Sequence, residues 1–124
     1  MAGLPPAARL RRATEFAAMR NASGRLRTSN FMLRWIPSRS DAARLGLAVS
    51  RKVSKRAVTR NRIKRIARES FRFEREALPA IDVLLIARAS AASAAGQELR
   101  QELDHTWATL RTLKLRATPG TIGG

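Results

Sequence analysis

Apolar residues recur along the chain with two different spacings, and each spacing predicts an element. Residues 29–36 alternate, with Phe31, Leu33 and Trp35 pointing one way and Met32, Arg34 and Ile36 the other, until Pro37 ends the run. That pattern predicts a β-strand. Residues 45–49 resume an extended apolar run after a polar stretch, so the two strands are expected to pair as an antiparallel hairpin across a long basic connection. From residue 57 to 77 the period changes. Ile63, Ile66, Ala67, Ser70 and Phe71 fall at i, i+3, i+4, i+7 and i+8, which predicts a helix with one apolar face, stopped by Pro79. Ile81, Val83, Leu84, Leu85, Ile86 and Ala87 form a nearly continuous apolar run, which suits a central strand buried on both faces. A small-residue link at 90–96 leads to a last helix over 97–113 that turns Leu99, Leu103, Thr106, Trp107 and Leu110 to the core. Upstream, Thr14 as N-cap, Glu15 in the first turn, and Phe16 and Met19 on one side predict a short helix over 14–21. The order is α, β, β, α, β, α, and no segment repeats.

At 124 residues the chain suffices for one domain, expected over 9–115, with flexible tails at 1–8 and 116–124, the second rich in Gly and Pro. The longest apolar run, 80–87, contains Asp82 and is too short to span a bilayer. Residues 1–10 carry Pro5, Pro6 and Arg9 where a secretory signal needs a longer greasy segment. No membrane partner and a cytoplasmic residence are therefore expected. The absence of cysteine removes disulfides, thiolate metal ligands and thiol catalysis.

Charge changes the picture most. Lys and Arg total 25 against 9 acidic residues, a formal charge of +16, so a polyanion, nucleic acid first, is the expected partner. Between Arg51 and Arg68 nine of eighteen residues are basic and none is acidic. At about 100° per residue, the apolar stripe of the 57–77 helix lies opposite Lys64, Arg65, Arg68 and Arg72. Like charges at i and i+4, such as Arg60 with Lys64 and Lys64 with Arg68, each destabilise an isolated helix by about 0.2–0.5 kcal/mol, which a bound anion would offset. Arginine is 21 of the 25 cations, and its planar fork suits phosphate and base stacking. The bland alternative is a solvated face that serves solubility, but such faces usually mix signs and this one does not. The aromatic residues are Phe16, Phe31, Trp35, Phe71, Phe73 and Trp107. Most are expected in the core, with Phe16 the best candidate to stack on a base.

Catalytic signals are weak. The one histidine, His105, lies in the last helix beside Asp104, whose side chain is turned about 100° away. No paired-carboxylate, metal-ligand, nucleophile or phosphate-cradling glycine constellation is visible. The chain's own side chains are not expected to carry out chemistry.

The run Gly46-Leu47-Ala48-Val49-Ser50-Arg51-Lys52, followed by Ala57-Val58-Thr59-Arg60-Asn61-Arg62-Ile63-Lys64-Arg65 and by Arg68-Glu69-Ser70-Phe71-Arg72, resembles the bacterial ribonuclease P protein subunit. The Arg-Asn-Arg motif is the most specific part. The likeness extends more loosely from about Arg9 to Leu113, through the Thr-Glu-Phe opening helix and the strand from Asp82 to Arg88.

The resemblance implies a two-layer α/β (α+β) sandwich like that of some ribosomal proteins, in the order α-β-β-α-β-α. It also implies a left-handed βαβ crossover, where general rules expect a right-handed one. It implies an accessory subunit of a ribozyme, an endoribonuclease that removes the 5′ leader from precursor tRNA. The catalytic RNA would carry the chemistry and bind most of the magnesium, with none assigned to the protein alone. The implied partners are that RNA and precursor tRNA, and without RNA the protein is expected to be monomeric. By position, Arg60, Asn61, Arg62, Lys64, Arg65 and Arg68 match the helix that docks on the catalytic RNA. Phe16, Ser50, Arg51, Lys52 and Arg88 match a cleft that holds the single-stranded leader. Two departures stand out: Arg20 occupies a position where many members carry a second aromatic residue, and Ala89 one where many carry lysine. An Arg20 guanidinium can still stack on a leader base. The competing readings are a ribosomal or general RNA-binding protein of the same fold class, and a DNA-binding regulator, which lacks any helix-turn-helix order.

Overall fold

The computed structural model describes residues 8–9, 24–38 and 42–117, with side chains as far as residue 112. The helix expected over 14–21 and most of both tails lie outside the described residues. In chain order the elements are β1 (Gly24–Arg27), β2 (Phe31–Pro37), β3 (Arg44–Ala48), α1 (Ala57–Glu74), a 3-10 turn at Arg75–Ala77, β4 (Ile81–Ala87), a 3-10 turn at Ala89–Ala92, and α2 (Gly96–Ala117).

One sheet holds all four strands in the order β1-β2-β4-β3. The expected hairpin of the second and third strands is not formed. β4 lies between them, antiparallel to β2 through Leu33↔Leu85 and parallel to β3 through Leu45↔Val83. The antiparallel hairpin is instead β1 with β2, joined by a tight turn in which the Thr28 amide donates to the Phe31 carbonyl at 2.8 Å. β1 escaped the hydrophobic pattern because its sequence, Gly-Arg-Leu-Arg, offers one apolar side chain to the sheet. Gly24 is needed there, since a Cβ would overlap the Trp35 indole directly across the pair.

β2 and β4 point Phe31, Leu33, Val83, Leu85 and Ala87 to one face, and β3 adds Leu45, all of them buried. Against that face α1 packs Ile63, Ala67 and Phe71, and α2 packs Leu99, Leu103, Trp107 and Leu110, as the helical spacing predicts. Each large side chain buried this way contributes about 1.5–3 kcal/mol. The Phe71 and Trp107 rings meet edge to face at 5.3 Å, where α1 crosses α2. On the opposite face Leu84 is buried beside Ile36, Ala48 and Ile86, so β4 is covered on both sides as a central strand requires. Asp82, the one charge in that strand, makes a two-pronged pair with Arg44 at 2.9 and 2.7 Å. Ala8 is fully buried in the core, and α2 continues to Ala117.

Candidate nucleic-acid interface

Because β3 and β4 are parallel neighbours, the chain leaves both at the same edge of the sheet. Ser50, Arg51 and Lys52 follow β3 and Arg88 follows β4, so four of the expected leader-binding residues come together where ligands characteristically sit on such sheets. The turn after β3 is fixed by buried Val53, whose amide donates to the Ser50 carbonyl at 3.0 Å, and by the Lys52 amide donating to Ser50 Oγ at 3.2 Å. Arg51 and Lys52 are left exposed. Arg88 is held differently. Its Nη1 donates to the Thr28 carbonyl at 2.9 Å and to the Ser29 carbonyl at 3.3 Å. The same β1–β2 turn is gripped from α2 by the Glu102 carboxylate, which accepts from Thr28 Oγ1, the Asn30 amide at 2.8 Å and Asn30 Nδ2 at 2.7 Å. Arg88 is thus a tie across the sheet edge as well as a charge at it, a role that residue order alone does not reveal.

α1 begins beside this edge. Its N-cap, Arg56, supplies no side-chain cap and its first turn holds no acid, so the positive end of the helix dipole is uncompensated locally. Ser54 organises the approach: its Oγ accepts from the Arg56 amide at 3.1 Å, and its carbonyl accepts from Arg60 Nη1 at 2.9 Å. Arg62 Nη2 donates to the Ala94 carbonyl at 3.4 Å. Arg56, Val58, Thr59, Asn61, Arg62 and Arg65 line an open depression of about 470 Å³. Asn61 and Arg65 stand exposed on it, while Lys64 and Arg68 lie half-buried along the helix flank. Desolvation, reinforced by the nearby Arg9 charge, holds the Arg68 guanidinium below its ordinary pKa.

The rotation of α1 that turns these residues outward is set by a buried polar clamp. Trp107 Nε1 donates to Ser70 Oγ at 2.8 Å, and Ser70 Oγ donates to Asp104 Oδ1 at 2.6 Å. The ion pairs among the described residues are Arg44 with Asp82, Arg100 with Glu69 and Asp104, and Arg111 with Glu74. None uses Arg60, Arg62, Lys64, Arg65 or Arg68, so among the described residues no carboxylate matches the cationic flank.

Phe16 and Arg20 lie outside the described residues. Two features of the surface were not anticipated. Val58 is 66% exposed on the wall of the depression, and Phe73 is 64% exposed with the Arg72 and Arg100 guanidinium carbons 4.6 and 5.2 Å from its ring centre. The signal for Phe73 was present, since it sits off the apolar stripe of its own helix. His105 is exposed, and among the described residues no three of His, Cys, Asp and Glu converge as metal ligands would. Among the same residues no helix is long and apolar enough to cross a membrane.

Comparison with known proteins gives one consistent family. The sequence profile of ribonuclease P matches residues 4–111. The ribonuclease P protein component of Thioalkalivibrio sulfidiphilus is 36% identical over 110 residues, covering 89% of this chain and 92% of that protein. That of an Azoarcus species is 41% identical over 95 residues, covering 77% and 79%. In three dimensions the chain superposes on a Staphylococcus aureus RNase P protein, a mutant defective in mRNA degradation, with a TM-score of 0.77 and 28% identity, covering 83% of this chain and 87% of that one.

Proposed function

The chain belongs to the bacterial ribonuclease P protein family, and from that premise we propose that it grips two RNAs at once: the catalytic RNA along α1 and the 5′ leader of precursor tRNA at the β3–β4 edge. As a ribonuclease P protein component it is part of a tRNA-processing ribonucleoprotein. The observation that carries the finer reading is the outward, unpaired cationic flank of α1 beginning beside the exposed Arg51 and Lys52.

The division of labour follows from side-chain chemistry. Arg60, Arg62, Lys64, Arg65 and Arg68 neutralise backbone phosphates and release counterions, which supplies affinity without reading sequence. Asn61 offers both a donor and an acceptor to a base edge or a 2′-hydroxyl. At the sheet edge Ser50, Arg51, Lys52 and Arg88 track the leader backbone, with Phe16 and Arg20 supplying planes for its bases. This reading assigns the cleavage chemistry, and the magnesium it requires, to the RNA. The protein acts by holding substrate and ribozyme in register, and without RNA it is a monomer.

Reconstitution tests the proposal. At low magnesium, adding the protein to its cognate catalytic RNA and precursor tRNA should accelerate 5′ cleavage over RNA alone. No acceleration would overturn it.

A further inference from the structure

The β1–β2 turn is bonded from two sides, and its polar groups are sorted between them. Its donors go to α2: the Glu102 carboxylate accepts from Thr28 Oγ1, from the Asn30 amide at 2.8 Å and from Asn30 Nδ2 at 2.7 Å. Its acceptors go to the segment that leaves β4. The Thr28 and Ser29 carbonyls accept from Arg88 Nη1 at 2.9 and 3.3 Å, and the Asn30 carbonyl accepts from the Arg88 amide at 2.8 Å. The Ser29 carbonyl also accepts from Ser90 Oγ at 3.1 Å. A carboxylate, a turn and a guanidinium therefore form one hydrogen-bonded chain with an anion at one end and a cation at the other. Polarisation along such a chain strengthens each link.

This chain uses only Nη1 of the Arg88 side chain. Among the described residues Nε and Nη2 have no hydrogen-bond partner, and the guanidinium joins no ion pair. Those two nitrogens make one fork of the planar group, an edge that can bind two oxygens of a single phosphate in parallel. A mobile arginine loses rotamer freedom when it presents that fork, which weakens binding by about two- to tenfold for each side chain immobilised. Arg88 is already fixed by the turn.

We infer that Glu102 is a positioning residue for leader recognition: from α2 it sets the turn that holds Arg88 with its free fork available to a leader phosphate. The inference rests on the reading of the β3–β4 edge as the leader site, and adds to it an acidic residue that acts only through Arg88. Glu102 thereby helps to determine how strongly precursor is preferred over mature tRNA.

The test is the ratio of affinities for a non-cleavable precursor and for mature tRNA, measured on the complex of the protein with its catalytic RNA. Glu102→Ala should lower the precursor-to-mature ratio by about two- to tenfold, with the affinities for mature tRNA and for the catalytic RNA unchanged. Glu102→Asp, one methylene short of the turn, should act in the same direction as a milder variant. Glu102→Gln should restore most of the ratio. Its carbonyl can accept from the Thr28 hydroxyl and the Asn30 amide, and its NH2 can donate to Asn30 Oδ1 once that side-chain amide turns over. Glu98→Ala removes the acceptor of the Ala95 amide at the start of the same helix, so it weakens the fold away from the turn and should leave the ratio alone. In a double-mutant cycle Arg88→Ala should lower the ratio by itself, and adding Glu102→Ala should lower it no further. A wild-type ratio in Glu102→Ala and Glu102→Asp, where Arg88→Ala lowers it, would overturn the inference and leave the leader site standing. Additive losses in the cycle, or an equal fall for Glu98→Ala, would overturn it in favour of a purely structural Glu102. No effect of Arg88→Ala would overturn both the inference and the place of Arg88 in the leader site.

Discussion

Arg65→Ala tests one proposed phosphate contact in isolation. Arg65 is exposed on the open depression, joins no ion pair among the described residues, and lies opposite the buried Ile63 and Ala67, so its removal leaves the core untouched. Folding stability should change by no more than about 0.5 kcal/mol, as for other surface positions without partners. RNA binding should suffer much more. If Arg60, Arg62, Lys64, Arg65 and Arg68 each neutralise a phosphate, log affinity against log salt slopes at about −3.5 to −4.5, and losing one contact flattens it by about 0.7–0.9. A charge-assisted hydrogen bond is worth about 1.5–3 kcal/mol, so affinity at fixed salt should fall by roughly tenfold to a hundredfold. Filter binding to the catalytic RNA across a potassium chloride series, with Tm measured alongside, supplies both numbers. Arg60→Ala is the informative contrast: it should flatten the slope equally but also lower Tm, because Arg60 holds the Ser54 carbonyl at 2.9 Å. An unchanged slope for Arg65→Ala at wild-type Tm would remove Arg65 from the interface and refute the reasoning that exposure and lack of a partner mark a contact.

Ser70→Ala should cost about 1–3 kcal/mol by leaving the buried Trp107 Nε1 without its acceptor; in a double-mutant cycle with Trp107→Phe the costs should be less than additive, and strict additivity would deny the clamp. Glu102→Ala should destabilise by about 1.5–3 kcal/mol and speed amide exchange at Asn30, since it removes the acceptor for Thr28 and Asn30; unaltered exchange there would show the turn is held by Arg88 alone. Phe16→Ala should weaken binding of leader-bearing precursor while sparing mature tRNA, and equal losses for both would assign Phe16 to packing.

What the sequence disclosed depended on how local the determining interactions are. α1 was legible to its faces, because Ile63, Ala67 and Phe71 repeat with the helical period and Pro79 closes the run. β4 was legible as a central strand from its unbroken apolar stretch. The pairing of β2 was not, since the partner, β4, arrives by a crossover through α1, and sequence neighbours had seemed the simpler choice. β1 was invisible because only Leu26 among its residues packs against the core cluster. The charge of the interface was fully readable in Arg51 to Arg68, but its state was not. That Arg62 leans on Ala94 and Arg88 on the β1–β2 turn are facts of tertiary contact between residues far apart in the chain.

The central claim is that the outward side of α1, and not some other surface, lies on the catalytic RNA. The chain contains no cysteine, so a single introduced thiol gives a unique attachment point. An iron chelate tethered to Val58→Cys, on the wall of the depression, should generate hydroxyl radicals that cut the catalytic RNA at a few discrete positions, while the same chelate on Gln101→Cys, exposed on α2, should leave those positions intact. Cleavage from Gln101 and none from Val58, in complexes that still bind RNA, would contradict the account.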